Sequence, residues 1–105
     1  NLLNLIAIGS DIIFYKYKLL EYSKLKIKVK LFAKFKEIVN SGNIDLELSI
    51  GANVSEAIEE ISLQYPGLNL NRMKFLVSLN YEYTDNCKIL HEDDELALIP
   101  PVSGG

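Results

Sequence analysis

Two stretches of the chain alternate residue by residue between apolar and polar side chains. Residues 26–31 (KIKVKL) place Ile27, Val29 and Leu31 on one side and three lysines on the other. Residues 44–50 (IDLELSI) repeat the alternation. Because successive side chains of a strand point to opposite faces, this period of two predicts two strands, each with one buried and one solvated face.

Two further segments change to the period of a helix. Residues 33–40 (AKFKEIVN) are expected to form a short helix that stops at Gly42. Asn53 followed by Glu56 resembles a capping box at the start of a second, main helix, which residues 66–67 (Pro-Gly) would end. The apolar residues of the main helix recur at helical spacing and are Val54, Ala57, Ile58 and Ile61. They are predicted to pack that helix against the sheet.

The rest of the domain is predicted to consist of strands and turns. Residues 75–79 (FLVSL) form the continuous apolar run typical of an interior strand. A short extended piece at 88–90 and an acidic turn at 91–94 precede a last strand at 95–99. With 105 residues, 49% of them hydrophobic, the chain has the size and composition of one globular domain. The predicted fold class is therefore α+β, a single sheet packed on one main helix over residues 25–99.

The composition excludes several kinds of catalytic and metal site. Cys87 is the only cysteine, so the chain by itself holds no internal disulfide and no multi-cysteine zinc or iron–sulfur site. His91 is the only histidine, which argues against a Ser-His-Asp arrangement. The acidic run that follows His91 is expected to be a solvated turn, because consecutive turn residues cannot all converge on one ion. We predict no metal site, no catalytic constellation within the chain, and an intracellular protein.

Charge is divided unevenly along the chain. Residues 1–36 carry eight lysines and two acids, whereas residues 37–105 carry three basic and twelve acidic residues. A basic half can indicate nucleic-acid or membrane binding. Here Lys26, Lys28 and Lys30 alternate with apolar residues as the solvated side of a strand does, with no aromatic residues interleaved on that side. We therefore expect neither nucleic acid nor membrane as a partner.

Residues 1–24 form an apolar extension. Fifteen of the first 25 residues are hydrophobic. The longest charge-free run, residues 1–10, is much shorter than the roughly 20 residues of a membrane span, and no basic region precedes it as in a secretory signal. We expect the extension to pack on its own domain or on a second copy of the chain, the latter giving self-association.

The end of the chain carries the strongest functional signal. The tail after the last strand consists of Pro100, Pro101, Val102, Ser103, Gly104 and Gly105. Its two prolines cannot continue a strand and favour an extended exit from the domain. Its two glycines have no side chain, so the terminal carboxylate can thread a narrow channel in another protein. A frayed terminus is the alternative interpretation.

Four segments resemble one known family. They are residues 28–37 (KVKLFAKFKE), 80–83 (NYEY), 92–96 (EDDEL) and 99–105 (IPPVSGG). They resemble the small subunit of molybdopterin synthase, a family of ubiquitin-like sulfur carriers with the β-grasp fold, and the resemblance covers residues 26–105. The Phe32-Ala33 step and the tail are its most specific parts. The chain departs from the family at Lys36, commonly arginine, and at Asp93, commonly glycine, although aspartate tolerates a left-handed turn.

This resemblance implies a substrate protein, the sulfur-donating subunit of a synthase, and no self-contained enzyme. An adenylyltransferase similar to ubiquitin-activating enzymes would use ATP to adenylate the Gly105 carboxylate. Sulfur from a persulfide would then convert that group to a thiocarboxylate, with no cofactor bound to the chain itself. In the cytoplasm, the tail would enter the large synthase subunit and donate sulfur to a pyranopterin precursor of the molybdenum cofactor. Phe32 and Ile99 stand where the family contacts its partner, with core packing as the alternative.

Other functions remain open on the sequence alone. A ubiquitin-like protein modifier would join the same activated Gly105 to a lysine of another protein. A sulfur carrier of the thiamine pathway also ends in Gly-Gly, usually without this Pro-Pro-Val-Ser lead. A pure interaction module would carry the two glycines incidentally.

Overall fold

The computed structural model describes residues 12, 13, 15 and 23–101, which form five strands and two α-helices from Ser23 onward. The strands are β1 (Lys24–Leu31), β2 (Asn43–Ser49), β3 (Leu76–Leu79), β4 (Glu82–Tyr83) and β5 (Glu95–Ile99). The helices are α1 (Ala33–Val39) and α2 (Val54–Gln64), and two short 3-10 turns follow α2 at Pro66–Leu68 and Leu70–Arg72. Within the described ranges, no helix has the length and apolar character needed to cross a membrane.

The five strands form one mixed sheet in the order β2-β1-β5-β3-β4. β1 and β5 pair in parallel at its centre, and every other neighbouring pair is antiparallel. Parallel pairing requires a crossover, which here contains both helices. The last strand of the domain is consequently its central strand, so the tail leaves from the middle of the sheet.

One face of the sheet packs on the helices and forms the hydrophobic core. Ile27, Val29 and Leu31 are almost completely buried, while the lysines between them point to the opposite side. The core continues through Phe35, Leu46, Val54, Ala57, Ile61, Leu96 and Leu98. These observations confirm the α+β prediction and the burial predicted from the alternating segments, except at Ile50, which lies beyond β2 and is 62% exposed. Within residues 23–101 no helix packs on the opposite side of the sheet, and we call this side the open face.

The capping prediction for the main helix is confirmed. The Asn53 side chain accepts a hydrogen bond of 2.9 Å from the backbone N–H of Glu56. This bond satisfies one of the donors left unpaired in the first helical turn. The helix ends at Gln64, and Pro66 opens the next turn. Of its four predicted core residues, Ile58 is only partly buried.

Three local predictions need correction. Helix α1 ends at Val39, and its C-cap Asn40 adopts the left-handed conformation (φ 62°), which asparagine tolerates, so Gly42 is not the stop of the helix. Strand β3 lies inside the sheet, but its burial alternates because the open face is uncovered, and Leu76 is 52% exposed. Strand β4 was not predicted. It pairs with β3 across a two-residue turn, Asn80-Tyr81, in which both φ angles are positive (52° and 73°).

The acidic turn before β5 forms as expected. Asp93 takes a left-handed φ of 65°, and its backbone N–H donates to the carbonyl of Lys26 at 2.9 Å. The Asp94 side chain accepts from the backbone N–H of His91 at 2.7 Å. The expectations for residues 102–105, and for most of residues 1–22, lie outside the described residues.

Candidate functional site

The root of the tail lies at the end of the central strand. Pairing of β5 stops at Ile99, and Pro100 and Pro101 follow it without strand structure. Proline has no N–H to donate, so neither residue can extend the ladder. Pro100 is half-buried and Pro101 exposed, whereas Gly105 and the three residues before it lie outside the described residues.

Beside the tail root, the open face holds a depression of about 280 Å³. Eight residues line it, and we call the set the open-face depression: Lys30, Phe32, Ser78, Tyr81, Tyr83, Glu95, Ala97 and Ile99. Phe32 and Ile99, the two predicted docking residues, are thus brought together. Phe32 is 45% exposed and Ile99 half-buried, so neither is a fully buried core residue.

The strand register explains why the depression exists. Ala97 pairs with Lys30 on one side and with Ser78 on the other, in the middle of the sheet. Because Ala97 and Ser78 have small side chains, the sheet surface is recessed there relative to the surrounding larger side chains of the depression. Tyr81 and Tyr83, exposed by 81% and 75%, stand on the β3–β4 hairpin along one side. The hairpin thus places these two tyrosines together beside the depression.

Strained backbone borders the depression. Ala33, directly after Phe32, has a φ of 49°, and Tyr81 has a φ of 73°. The left-handed region costs a residue with a side chain about 1–2 kcal/mol. Such conformations persist where the surrounding structure holds them, and they cluster at functional sites. Here the left-handed conformation of Ala33 sets how the chain turns from β1 into helix α1. That of Tyr81 sets how the chain turns from β3 into β4.

Asn80 ties the hairpin turn to the start of β5. Its side-chain oxygen accepts from the backbone N–H of Glu95 at 2.9 Å, and its amide nitrogen donates to Asp94 at 3.0 Å. Its own backbone N–H donates to the Glu95 carbonyl at 2.8 Å. These three bonds hold Tyr81 in place relative to Glu95.

An ion pair completes the site. The Lys30 ammonium lies 2.6 Å from a carboxylate oxygen of Glu95 and 5.4 Å from the centre of the Tyr81 ring. The hydrogen bond with Glu95, followed by one with Tyr81, raises the pKa of Lys30. The hydrogen bond with Lys30, followed by one with Tyr81, lowers the pKa of Glu95. Both groups are therefore charged at neutral pH and neutralise each other.

A second apolar groove, of about 720 Å³, lies on the other side of the tail root. Its apolar lining consists of Ile58, Leu70, Met73, Phe75, Leu76, Val77 and Pro101. The tail therefore starts between two surfaces that both expose apolar side chains.

Other sequence candidates lie away from this site. Cys87 is exposed on the loop after β4, where its backbone N–H donates to Asp85 at 2.9 Å. Among residues 12, 13, 15 and 23–101, no cluster of three histidine, cysteine or acidic side chains could hold a metal ion. The sequence reasoning missed Lys30, Tyr81 and Glu95, although each of them lies in one of the segments that resemble the small synthase subunits.

Comparison with protein families and curated sequences gives consistent matches. The model of the ThiS family matches residues 29–105. The chain is 37% identical over 83 residues to the molybdopterin synthase sulfur carrier subunit of Arabidopsis thaliana, covering 79% of this chain and 86% of that one. It is 34% identical over 83 residues to the protein of the same name from Chlamydomonas reinhardtii, covering 77% of this chain and all of that one.

Several solved structures have a similar fold. SAMP1 of Haloferax volcanii superimposes with a TM-score of 0.70 at 28% identity, over 76% of this chain and 99% of that one. A putative molybdopterin converting factor subunit 1 from Pyrococcus furiosus gives 0.67 at 26% identity, over 74% and 99%. A chain from the complex of subunits 1 and 2 of the Helicobacter pylori molybdopterin-converting factor gives 0.54 at 25% identity, over 77% and 100%.

Proposed function

Since this chain belongs to the ThiS family and shares the β-grasp fold of its molybdopterin synthase sulfur carrier relatives, we propose that its Gly105 carboxyl group carries the sulfur. The chain is a sulfur carrier of molybdenum cofactor biosynthesis. One observation carries the proposal for the site. The Pro-Pro-Val-Ser-Gly-Gly tail leaves from the central strand, directly beside an exposed apolar depression.

Activation is needed because a free carboxylate is a poor electrophile. An oxygen of the Gly105 carboxylate attacks the α-phosphorus of ATP, and pyrophosphate leaves. The terminal sulfur of a persulfide then attacks the acyl carbon and AMP leaves, which gives an acyl disulfide. A second thiol cleaves the S–S bond and releases the Gly105 thiocarboxylate. The groups that stabilise the developing charges belong to the activating enzyme, where the ATP also binds.

Sulfur donation requires a second protein, and we propose the large subunit of molybdopterin synthase. The Helicobacter pylori relative, whose structure is that of a complex of subunits 1 and 2 of the molybdopterin-converting factor, supports this choice. The thiocarboxylate sulfur attacks an electrophilic carbon of the pyranopterin precursor, and an oxygen substituent leaves that carbon as the C–S bond forms. Water then attacks the acyl carbon, the acyl–sulfur bond breaks with the sulfur staying on the precursor, and the Gly105 carboxylate is regenerated. This sequence of reactions takes place in the cytoplasm.

The open-face depression is the proposed docking surface for that subunit. Phe32 and Ile99 provide its apolar ends, and Ile99 is continuous with the tail through Pro100. Exposed contiguous apolar side chains typically mark protein contacts. Docking there would aim residues 102–105 into the partner.

The test of the proposal uses tail variants with the purified activating enzyme. A chain without Gly105, and the variant Gly104→Leu, should lose ATP–pyrophosphate exchange while keeping the thermal unfolding of the wild type, because the tail lies beyond the last strand. Ser103→Ala is the matched control and should keep exchange activity. Exchange by the shortened chain at the wild-type rate would refute the role of Gly105.

Protein modification is a second candidate, favoured by the structural similarity to SAMP1, titled a small archaeal modifier protein in a second structure. The same acyl-adenylate would then end in an isopeptide bond between Gly105 and a lysine. Conjugates of this chain recovered from cells under denaturing conditions would support this role. Rescue of thiamine-requiring cells by this chain would show a further role as a carrier of the thiamine pathway.

A further inference from the structure

The ion pair on the open face is unusual in its surroundings. Lys26 and Lys28 face acidic residues of β2, Glu47 and Asp45, toward the solvated edge of the sheet. Lys30 instead pairs in register with Asn43 and bonds to Glu95 across the sheet centre, within the depression. The open-face depression therefore contains one cation and one anion, and these two side chains already neutralise each other.

The ion pair also contacts Tyr81, which forms one side of the depression. The Lys30 ammonium lies against the Tyr81 ring, and Asn80 bonds to the Glu95 backbone immediately before Tyr81. Tyr81 is otherwise 81% exposed on a strained turn. Lys30 contacts this ring directly, and Glu95 holds the Lys30 ammonium in place.

We propose that Lys30 and Glu95 form a self-neutralised pair that positions Tyr81, and that the large synthase subunit covers this pair with an uncharged surface while inserting an apolar side chain into the depression. The proposal rests on the proposed function, because it takes its partner from there. At about 280 Å³, the depression is at the small end of sites for small-molecule ligands and suits a side chain of a partner protein. A charged partner group would compete with the existing 2.6 Å bond and leave the other member unpaired.

This arrangement predicts a specific pattern of binding constants. Removing one charge leaves the other uncompensated beneath the partner, which typically weakens binding strongly, whereas replacing both by uncharged side chains of similar shape is often neutral. Lys30→Met alone and Glu95→Gln alone should each raise the Kd for the large subunit, Lys30→Met by about 30-fold or more. The double variant should return to within about threefold of the wild type.

The experiment is titration calorimetry of the full chain with the purified large subunit at low and high salt. Lys26→Met is the matched control, since it removes a β1 lysine outside the depression, and it should leave the Kd unchanged. Because no charge crosses the interface, the wild-type Kd should change by less than about threefold between the two salt concentrations. Thermal unfolding of each variant checks that the domain still folds.

Two outcomes would overturn the inference while leaving the proposed function intact. One is that the wild-type chain binds the large subunit but the double variant binds it as weakly as Lys30→Met does. The other is a steep salt dependence of the wild-type Kd that Lys30→Met abolishes, which would mean that the partner binds the ammonium directly. Absence of any binding by the wild-type chain would instead refute the proposed partner itself.

Discussion

At the scale of single residues, the left-handed backbone positions carry much of the local architecture. Asn40, Asn69, Asn80 and Asp93 use side chains that tolerate a positive φ. Ala33 and Tyr81 are not residue types of this kind. Tyr81 lines the open-face depression, and Ala33 directly follows Phe32, which also lines it. The residues with the least favourable backbone thus border the surface that we assign to the partner.

Asn80 offers a test of how the hairpin turn is held. Asn80→Ala removes two side-chain hydrogen bonds and puts alanine, which tolerates the left-handed region less well than asparagine, at a φ of 52°, so it should lower the free energy of unfolding by about 2–3 kcal/mol. Asn80→Gly loses the same bonds without the backbone strain and should cost about 1 kcal/mol less. Urea denaturation measures both. Equal losses for the two variants would show that the backbone conformation contributes nothing.

The Lys30–Glu95 pair predicts a pH dependence of stability. Because the pKa of Glu95 is lowered in the folded state, its contribution is present above its ordinary pKa of 4.5 and is lost as the pH falls through the folded value. Because the pKa of Lys30 is raised, its contribution is present below the ordinary value of 10.5 and is lost above it.

Thermal unfolding of the wild type and of Lys30→Met across pH 3–9 tests this expectation. The difference in Tm should be constant near neutral pH and should shrink as Glu95 becomes protonated. A difference that stays the same at the acidic end would mean that the variant acts through packing of the lysine stem, and not through the ion pair.

At the scale of elements, α2 stabilises the domain through one buried stripe. Ile61→Ala should lower the free energy of unfolding by about 2–5 kcal/mol, because Ile61 is fully buried between α2 and the sheet. Leu63→Ala, two residues further along the same helix, is the control. Leu63 is 72% exposed, so its truncation should cost under about 0.5 kcal/mol. A loss below about 1 kcal/mol for Ile61→Ala would contradict the packing.

The local elements could be predicted because their signals are local. The period of β1 and β2 and the Asn53 cap of α2 are contained in a few neighbouring residues each. Strand β4 could not be predicted from the sequence because it has only two residues and depends on the turn at Asn80-Tyr81. Tyrosine is an unusual residue at a positive φ, so the sequence of this turn does not indicate a hairpin.

The candidate site could be predicted only in part. The tail followed from its own prolines and glycines, whereas Phe32 and Ile99 followed from the family resemblance. The Lys30–Glu95 pair arises from parallel pairing of the first and last strands of the domain, and hydrophobic periodicity contains no information about which strands become neighbours. The depression over Ala97 depends on the same register.

At the scale of the whole molecule, the N-terminal extension lies outside the family match, which begins at residue 29. Its described residues Ile12, Ile13 and Tyr15 are apolar and more than half exposed. We predict that removing residues 1–22, which keeps β1 intact from Lys24, leaves the domain folded and able to be activated but reduces self-association. Sedimentation velocity of both chains over one concentration range measures this. If the full-length and the shortened chain both sediment as monomers over this range, self-association is refuted.

The central claim for the whole molecule is that Gly105 carries sulfur, and mass spectrometry of the C-terminal peptide tests it most directly. The chain would be isolated from cells that make the molybdenum cofactor, with an alkylating reagent present to trap thiocarboxylates. We predict a peptide ending at Gly105 in which sulfur replaces one carboxyl oxygen, and its loss from cells that lack the activating enzyme. A C-terminus found only as the free carboxylate, or only in isopeptide bonds to other proteins, would contradict the sulfur-carrier account.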